Sequence, residues 1–181
     1  LDIAVDACRK LVAHVEAGGV STILWGGNAQ IQHWPSSRYG ELLAMAEETA
    51  GRDCRVLPSV GPSYGKLMDE AAVLAGTRFP CAMALPMPAQ HTPEGVSTAL
   101  RAFVQRAGKP LVAYIRSEDY LAPDDLAAMV AAGEVVAVKY AVARKDPAVD
   151  PYLTALCAAI GASRAERIAQ PLVAVLVGVE G

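Results

Sequence analysis

The stretch EVVAVKY at residues 134–140 decides the fold, because it is an almost continuous apolar run that ends in a lysine. It follows the helix-like segment APDDLAAMVAAG at 122–133, which itself follows a second apolar run, PLVAYI at 110–115. Strands of this composition are buried on both faces, and they belong to parallel sheets whose strands are joined by helices. These segments therefore predict one β-α-β unit, with Tyr114 and Lys139 near the ends of its two strands.

The same alternation extends through the rest of the chain. Helical periodicity covers 4–17, 36–50, 64–76, 92–108 and 149–160, and apolar runs at 20–27, 55–61, 80–86 and 171–179 predict further strands. Thr92 is a suitable N-cap, and Pro93 suits the first position of the helix that follows it. Right-handed crossovers between such strands produce either a closed barrel or an open doubly wound sheet.

The turn after the first predicted strand favours the barrel. An open nucleotide-binding sheet has a glycine-rich phosphate loop there, whereas this chain has GGNAQIQHW at 26–34, with neither GxGxxG nor GxxxxGK[ST]. We therefore expect an α/β fold of the (β/α)8 TIM-barrel type, with an open-sheet ligand-binding module as the alternative. The chain has 181 residues, and a full barrel needs roughly 250, so we expect an incomplete barrel.

Composition excludes several other classes of protein. The chain is 53% hydrophobic with a net charge of −3, which excludes intrinsic disorder and argues against a nucleic-acid partner. Its apolar runs are shorter than a membrane span, and it begins without a signal-peptide pattern. Cys8, Cys54, Cys81 and Cys157 form no CxxC pair and no zinc-ligand spacing. We expect a cytoplasmic protein with reduced thiols, no metal, no cofactor and no membrane partner.

Candidate reacting residues lie at the carboxyl ends of the strands in both architectures. The residues at these positions are Gly26, Gly27, Asn28, Ser59, Met87, Pro88, Tyr114, Arg116, Lys139 and Tyr140. A period of two places Val135, Ala137 and Lys139 on one face of their strand, and Val136, Val138 and Tyr140 on the other. If the small Ala137 marks the barrel interior, Lys139 and Tyr114 both point into it from strands about 4.8 Å apart.

An ammonium and a phenol so close together indicate imine chemistry. In apolar surroundings a lysine favours its neutral amine, which attacks a ketone and forms a Schiff base. The protonated imine withdraws electrons from the adjacent carbon, and a tyrosine within hydrogen-bond distance transfers the protons. The alternative is that Lys139 extends into solvent or pairs with Glu134 or Asp146.

The glycine pair at the first strand end is the second candidate feature. Gly26 and Gly27 allow backbone N–H groups to approach a ligand closely, and Asn28 adds a side-chain donor. Such a turn could hold a carboxylate. The alternative is an ordinary tight turn.

Taken together, these stretches resemble the dihydrodipicolinate synthase and N-acetylneuraminate lyase family, which are class I aldolase-like (β/α)8 barrels. ILWGGNAQ resembles the strand end with the Gly-[Thr/Ser]-Thr-Gly-Glu motif, PLVAYI the strand that ends in the tyrosine of YNVP, and EVVAVKYA the strand that ends in the lysine of IVGIKEA. The resemblance covers about 4–160 and implies strands two to six of a barrel, followed by a strand-like tail. Residues 1–181 are then a single barrel domain, in which 161–181 stay unassigned.

The resemblance also implies roles for the candidate residues. Lys139 matches the lysine that forms the imine, and Tyr114 matches the tyrosine that shuttles protons. Gly26, Gly27 and Asn28 match the loop that holds the carboxylate of a 2-oxo acid. The implied activity is a Schiff-base-forming lyase, an aldolase or a dehydratase, acting on pyruvate or a keto-deoxy sugar acid. The implied assembly is a homo-oligomer, either a tetramer or a dimer, without a cofactor.

The departures from the family pattern point away from dihydrodipicolinate synthesis itself. Gly27 and Asn28 stand where the family has two hydroxyl residues, which the synthases use as a proton relay together with the tyrosine that Tyr114 matches. Arg116 is the nearest match to the arginine that holds a substrate carboxylate in the loop after that tyrosine. We therefore expect an aldolase or dehydratase for another 2-oxo acid, with an inactive or incomplete barrel fragment as the alternative.

Overall fold

The computed structural model describes residues 2–26, 29–52, 54–146, 148–165 and 174–177, and only the backbone of 162–165 and 174–177. The helices are α1 (Val5–Ala17), α2 (Tyr39–Thr49), α3 (Tyr64–Ala75), α4 (Pro93–Ala107), α5 (Pro123–Ala131) and α6 (Pro151–Ala165). The strands are β1 (Thr22–Trp25), β2 (Arg55–Val60), β3 (Ala82–Ala84), β4 (Leu111–Ile115), β5 (Val135–Tyr140) and β6 (Ala174–Val177). Within these residues, no helix is long and apolar enough to cross a membrane.

Helices and strands alternate along the chain as predicted, and the residues at the helix ends explain where the helices begin and end. Thr92 caps α4, since its side-chain oxygen accepts a hydrogen bond from the Gly95 N–H at 3.1 Å, and Pro93 is the first helical residue as predicted. Gly108 ends the same helix with a φ of +63°, a conformation that costs a glycine little. The predicted helix at 36–50 begins later, at Tyr39, because single 3-10 turns at Ile31–His33 and Ser36–Arg38 precede it.

The six strands form one parallel sheet in the order β1-β2-β3-β4-β5-β6, which is also their order along the chain. An open doubly wound sheet reverses its strand order at a switch point, and this sheet does not. The sheet curls into a half-barrel. The predicted TIM-barrel architecture is therefore confirmed, and the open-sheet alternative is wrong.

The two faces of the sheet pack against different partners. The outer face forms the large core with helices α2–α6, and its strand residues are Val56, Val60, Ala82, Ala84, Leu111, Ala113, Ile115, Val135, Val138 and Tyr140. The inner face forms a smaller cluster of Cys81, Met83, Leu85, Val112 and Tyr114, against which Leu24, Leu57, Ala137 and Ala141 pack. The described helices supply no member of this inner cluster, which is what a barrel with its helices outside requires.

A register irregularity in β5 places Val135 on the other face of the sheet from the one that the sequence predicts. Leu111 pairs with Val135 and Val112 pairs with Ala137, so that Val136 is an extra residue in β5. Val135 therefore packs in the outer core at 1% exposure, whereas Val136 is 38% exposed. The prediction that Val135 shares a face with Lys139 is wrong, because a strict period of two does not survive a bulge.

Candidate active site

Lys139 and Tyr114 meet on the inner face of the sheet, as predicted. They are register partners on the neighbouring strands β5 and β4, and the Nζ atom of Lys139 lies 3.8 Å from the centroid of the Tyr114 ring. Tyr114 is buried at 5% exposure, and Lys139 is half-buried. The ring face attracts the ammonium group electrostatically, so the amine is held beside the phenol at the carboxyl end of the strands.

The surroundings of this pair are apolar. Leu85, at the end of β3, belongs to the same inner cluster as Tyr114, and Ala141 packs against that cluster just beyond Lys139. Cys81 lies in the cluster too, and burial raises the pKa of its thiol, so that it stays protonated and unreactive at neutral pH. Lys139 and Tyr114 are therefore the side chains of this part of the inner face that are suited to reaction chemistry.

The first strand end approaches the inner face through Gly26. A Cβ atom at this position would come within 2.9 Å of both the Met83 methyl group and the Leu24 side chain, and within 3.3 Å of the Ser59 hydroxyl. Only a glycine fits here without displacing its neighbours. The other two predicted residues of this loop, Gly27 and Asn28, lie outside the described residues.

Three other residues from the sequence analysis, Arg116, Tyr140 and Glu134, have different surroundings. Arg116 is exposed and follows the end of β4, two residues beyond Tyr114. Tyr140 belongs to the outer core, as the predicted period of two requires. Glu134, one of the acids considered as a partner for Lys139, instead accepts a hydrogen bond from Arg101 at 2.6 Å.

An ion-pair network that the sequence did not predict joins two loops at the carboxyl edge. Arg144, after β5, binds Asp150 through two nitrogens at 2.6 Å each, and its third nitrogen pairs with Glu118 in the loop after β4. Tyr140 donates its hydroxyl to Asp150 at 2.7 Å. Asp150 also accepts the N–H of Leu153 at 2.8 Å, which caps the start of α6. The network fixes the segment that follows Lys139.

The pKa values of this network follow from its contacts. The hydrogen bonds from Arg144 lower the pKa of Asp150 to about 2, so its carboxylate is charged at all physiological pH values. Burial, together with the hydrogen bond to Asp150, raises the pKa of Tyr140 to about 12. Tyr140 therefore stays a phenol, and it lies in the outer core, on the opposite face of the sheet from Tyr114.

A second buried polar group shapes the loop after β2. The Glu70 side chain is fully buried, and it pairs with Lys66 at 2.8 Å and accepts the Gly61 N–H at 2.7 Å. Burial raises the pKa of Glu70, while the contacts with Lys66 and Gly61 oppose that rise. Lys66 also donates to the Trp34 carbonyl oxygen at 2.5 Å, which ties α3 to the segment after β1.

The sequence carried a signal for some of these contacts and none for others. Lys66 and Glu70 stand four residues apart on one helix, which is a recognisable ion-pair spacing. Glu118 and Arg144 are 26 residues apart in different loops, so only the folded sheet brings them together. The described residues contain no group of three or more His, Cys, Asp or Glu side chains that could hold a metal ion.

Comparison with known proteins supports the architecture. No family model and no curated protein matches the sequence. Solved structures do match: the dihydrodipicolinate synthase from Oceanobacillus iheyensis has a TM-score of 0.74 at 15% identity, covering 98% of this chain and 54% of that chain. The 2-keto 3-deoxygluconate aldolase from Picrophilus torridus has a TM-score of 0.75 at 13% identity, with coverages of 98% and 61%.

A third solved structure extends the same pattern. The sialic acid aldolase from Ruminococcus gnavus has a TM-score of 0.68 at 17% identity, covering 79% of this chain and 50% of that chain. The chain thus has the fold of these three structures and spans roughly half to three-fifths of their length. The predicted resemblance is confirmed at the level of the fold.

Proposed function

We propose that this chain carries the reacting residues of a Schiff-base-forming lyase, an aldolase or a dehydratase, that acts on a 2-oxo acid. The observation that carries the proposal is the pairing of Lys139 with Tyr114, with the amine 3.8 Å from the ring centroid at the carboxyl end of two parallel strands. The solved structures of the same fold are named as synthases and aldolases of this kind, which supports the class of reaction.

The proposed reaction begins at Lys139. Its neutral amine attacks the C2 carbonyl carbon of the 2-oxo acid, and loss of water leaves a protonated imine. The imine accepts the electron pair released when a bond at C3 breaks, whether to a proton or to a carbon group, and the product is an enamine. Tyr114 transfers protons to and from the reacting atoms. Water then releases the product and returns the free lysine.

The loop residues complete this proposal. Gly26, Gly27 and Asn28 hold the carboxylate of the 2-oxo acid, and Arg116 meets a second anionic group of larger substrates. The exposed position of Arg116 beyond Tyr114 is compatible with contact to a substrate that extends out of the barrel. The protein works as a homo-oligomer in the cytoplasm and needs no cofactor.

Borohydride trapping tests the proposal directly. The full chain is incubated with pyruvate, reduced with sodium borohydride and digested, and mass spectrometry locates the adduct. We expect a reduced pyruvyl adduct on Lys139 and none in the Lys139→Arg variant. The matched control is Lys109→Arg, which should keep the adduct on Lys139. Lys109 lies at the opposite edge of the sheet, where it donates to the Thr77 and Phe79 carbonyl oxygens. An adduct spread over several lysines, or none with any 2-oxo acid, would contradict the proposal.

A second candidate function is ligand binding without turnover. It is favoured by the residues Gly27 and Asn28, which replace the hydroxyls that serve as a proton relay in the family. This candidate predicts that pyruvate forms the imine at Lys139 but that its C3 protons do not exchange with solvent. Proton exchange in D2O, followed by NMR, separates the two candidates.

A further inference from the structure

Ser59 is a buried serine whose hydroxyl group has no hydrogen-bond partner in the protein. The residue is 0% exposed, and its Oγ atom is buried and unpaired. Its backbone carbonyl is satisfied, since it accepts the Tyr39 hydroxyl at 2.9 Å. Buried hydroxyl groups are nearly always hydrogen-bonded, because desolvation without a partner is unfavourable. An unpaired one therefore needs an explanation.

The position of Ser59 places it on the same face as the candidate active site. It stands two residues after Leu57, which packs against the inner cluster, so both side chains lie on the same face of β2. It is also the register partner of Met83 on β3. Met83 pairs in turn with Val112, and Val112 with Ala137. Tyr114 and Lys139 each stand two residues further along these same strands. Ser59 thus lies in the inner-face layer directly beneath the layer of the lysine and the tyrosine.

Ser59 also borders the first strand end. Its hydroxyl oxygen would be only 3.3 Å from a Cβ atom built on Gly26, so the backbone of that glycine passes close to it. Gly26 begins the stretch GGNAQ, which contains no hydroxyl side chain. The nearest described hydroxyl to this strand end therefore comes from the neighbouring strand β2.

We propose that Ser59 is a substrate-binding residue, whose hydroxyl donates a hydrogen bond to the carboxylate of the 2-oxo acid while Lys139 forms the imine. The inference rests on the proposed function, since it adds a side-chain donor to the loop residues that hold the carboxylate of the same substrate. A carboxylate is a strong acceptor, and its hydrogen bond with a pre-placed and otherwise unpaired donor replaces no bond within the protein. No existing hydrogen bond of the Ser59 hydroxyl therefore has to break when the carboxylate binds.

This assignment predicts that Ser59→Ala weakens the binding of pyruvate without lowering the stability of the free protein. A serine that stabilises the fold loses a hydrogen bond when it is replaced, and the free protein becomes less stable. Ser59 has no such bond to lose, so the melting temperature of the free protein stays equal or rises. Binding of pyruvate, in contrast, weakens by tenfold or more, which is the usual size of a lost hydrogen bond to a charged group.

Thermal shift and trapping are measured together to test the inference. Pyruvate and acetone, which has a methyl group in place of the carboxylate, are titrated against the wild type, Ser59→Ala and Ser97→Ala, a buried serine of α4 that serves as the control. We expect Ser59→Ala to raise the half-saturating concentration of pyruvate in both measurements and to leave trapping by acetone unchanged. Ser97→Ala should leave both ligands unaffected.

Four outcomes would overturn the inference or separate it from the proposed function. An unchanged pyruvate titration in Ser59→Ala, or an equal loss with acetone, overturns the role in carboxylate binding. A lower melting temperature of free Ser59→Ala with parallel losses assigns Ser59 to the fold alone. A pyruvate-induced thermal shift that Ser59→Ala loses, without any borohydride adduct in the wild type, supports the Ser59 site and overturns the imine chemistry.

Discussion

Lys139 and Tyr114 are register partners on adjacent parallel strands, and the lysine Nζ atom lies over the tyrosine ring, 3.8 Å from its centroid. The contact is with the face of the ring, whereas the hydroxyl group lies at its edge. Two tasks can therefore be separated in one side chain. The ring positions the amine, and the hydroxyl is the group that can transfer a proton.

Replacing Tyr114 by phenylalanine keeps the ring and removes the proton carrier. We expect Tyr114→Phe to retain the borohydride adduct on Lys139, because the ring still lies under the amine. Exchange of the pyruvate methyl protons in D2O, measured by NMR, should slow by about 10²- to 10⁴-fold, the usual contribution of a general acid or base. Tyr64→Phe, at an exposed tyrosine of α3, is the control and should exchange at the wild-type rate. Unchanged exchange in Tyr114→Phe would remove the tyrosine from the mechanism.

The bulge in β5 can be tested with two neighbouring valines. Val135 is 1% exposed in the outer core, and Val136 is 38% exposed as the extra residue of the bulge. Val135→Ala removes two buried carbons and leaves a cavity, so we expect a loss of about 2 kcal/mol in the free energy of unfolding. Val136→Ala should cost no more than about 0.5 kcal/mol. Urea unfolding of both variants gives the comparison, and equal losses would contradict the bulge.

The same bulge shows how far the sequence alone could predict this structure. Apolar runs and helical periodicity were enough for the strands, the helices and the meeting of Tyr114 with Lys139, because strand ends in a parallel sheet share one edge. The face of Val135 was not predictable, since an inserted residue leaves no mark in an apolar run such as EVVAV. The partners of Arg144 were hidden for another reason: Glu118 and Asp150 lie in separate segments, and only the folded loops bring all three together.

The buried ion pair of α3 should be costly to break from one side. Glu70 is fully buried against Lys66 and the Gly61 N–H, so Glu70→Ala leaves a partly buried ammonium and an unpaired N–H group. We expect a loss of about 3–5 kcal/mol in the free energy of unfolding. Glu70→Gln should lose less, because its amide oxygen still accepts from Gly61.

The double variant Glu70→Ala/Lys66→Met provides the control for that prediction. Removing both charges eliminates the uncompensated ammonium, so the double variant should be more stable than Glu70→Ala alone. The coupling energy from the full cycle should fall between about 0.5 and 3 kcal/mol. Additive losses from the two single variants would mean that Lys66 and Glu70 do not interact in solution.

The network around Arg144 predicts a specific acid sensitivity. The guanidinium group lowers the pKa of Asp150 from an ordinary 3.8 to about 2 in the folded protein. A carboxyl group whose pKa is lowered by folding stabilises the protein above its unfolded pKa and loses that contribution as the pH falls through the folded pKa. The stabilisation from Asp150 should therefore be complete above about pH 4 and disappear between about pH 4 and pH 2, and it should not exceed about 2 kcal/mol.

Asp150→Asn isolates this contribution, because it removes the titrating group and keeps a side chain of the same shape. The difference in unfolding free energy between the wild type and Asp150→Asn, measured in urea, should be constant above pH 4 and shrink below it. Glu118→Gln is the matched control: it removes the other acidic partner of Arg144, at a half-exposed position, but leaves the pair between Arg144 and Asp150 intact. This control should therefore keep the acid-sensitive window of the wild type. A difference that stays constant down to pH 2 would show that Arg144 does not hold the Asp150 carboxylate in solution, and β5 would then need another anchor behind Lys139.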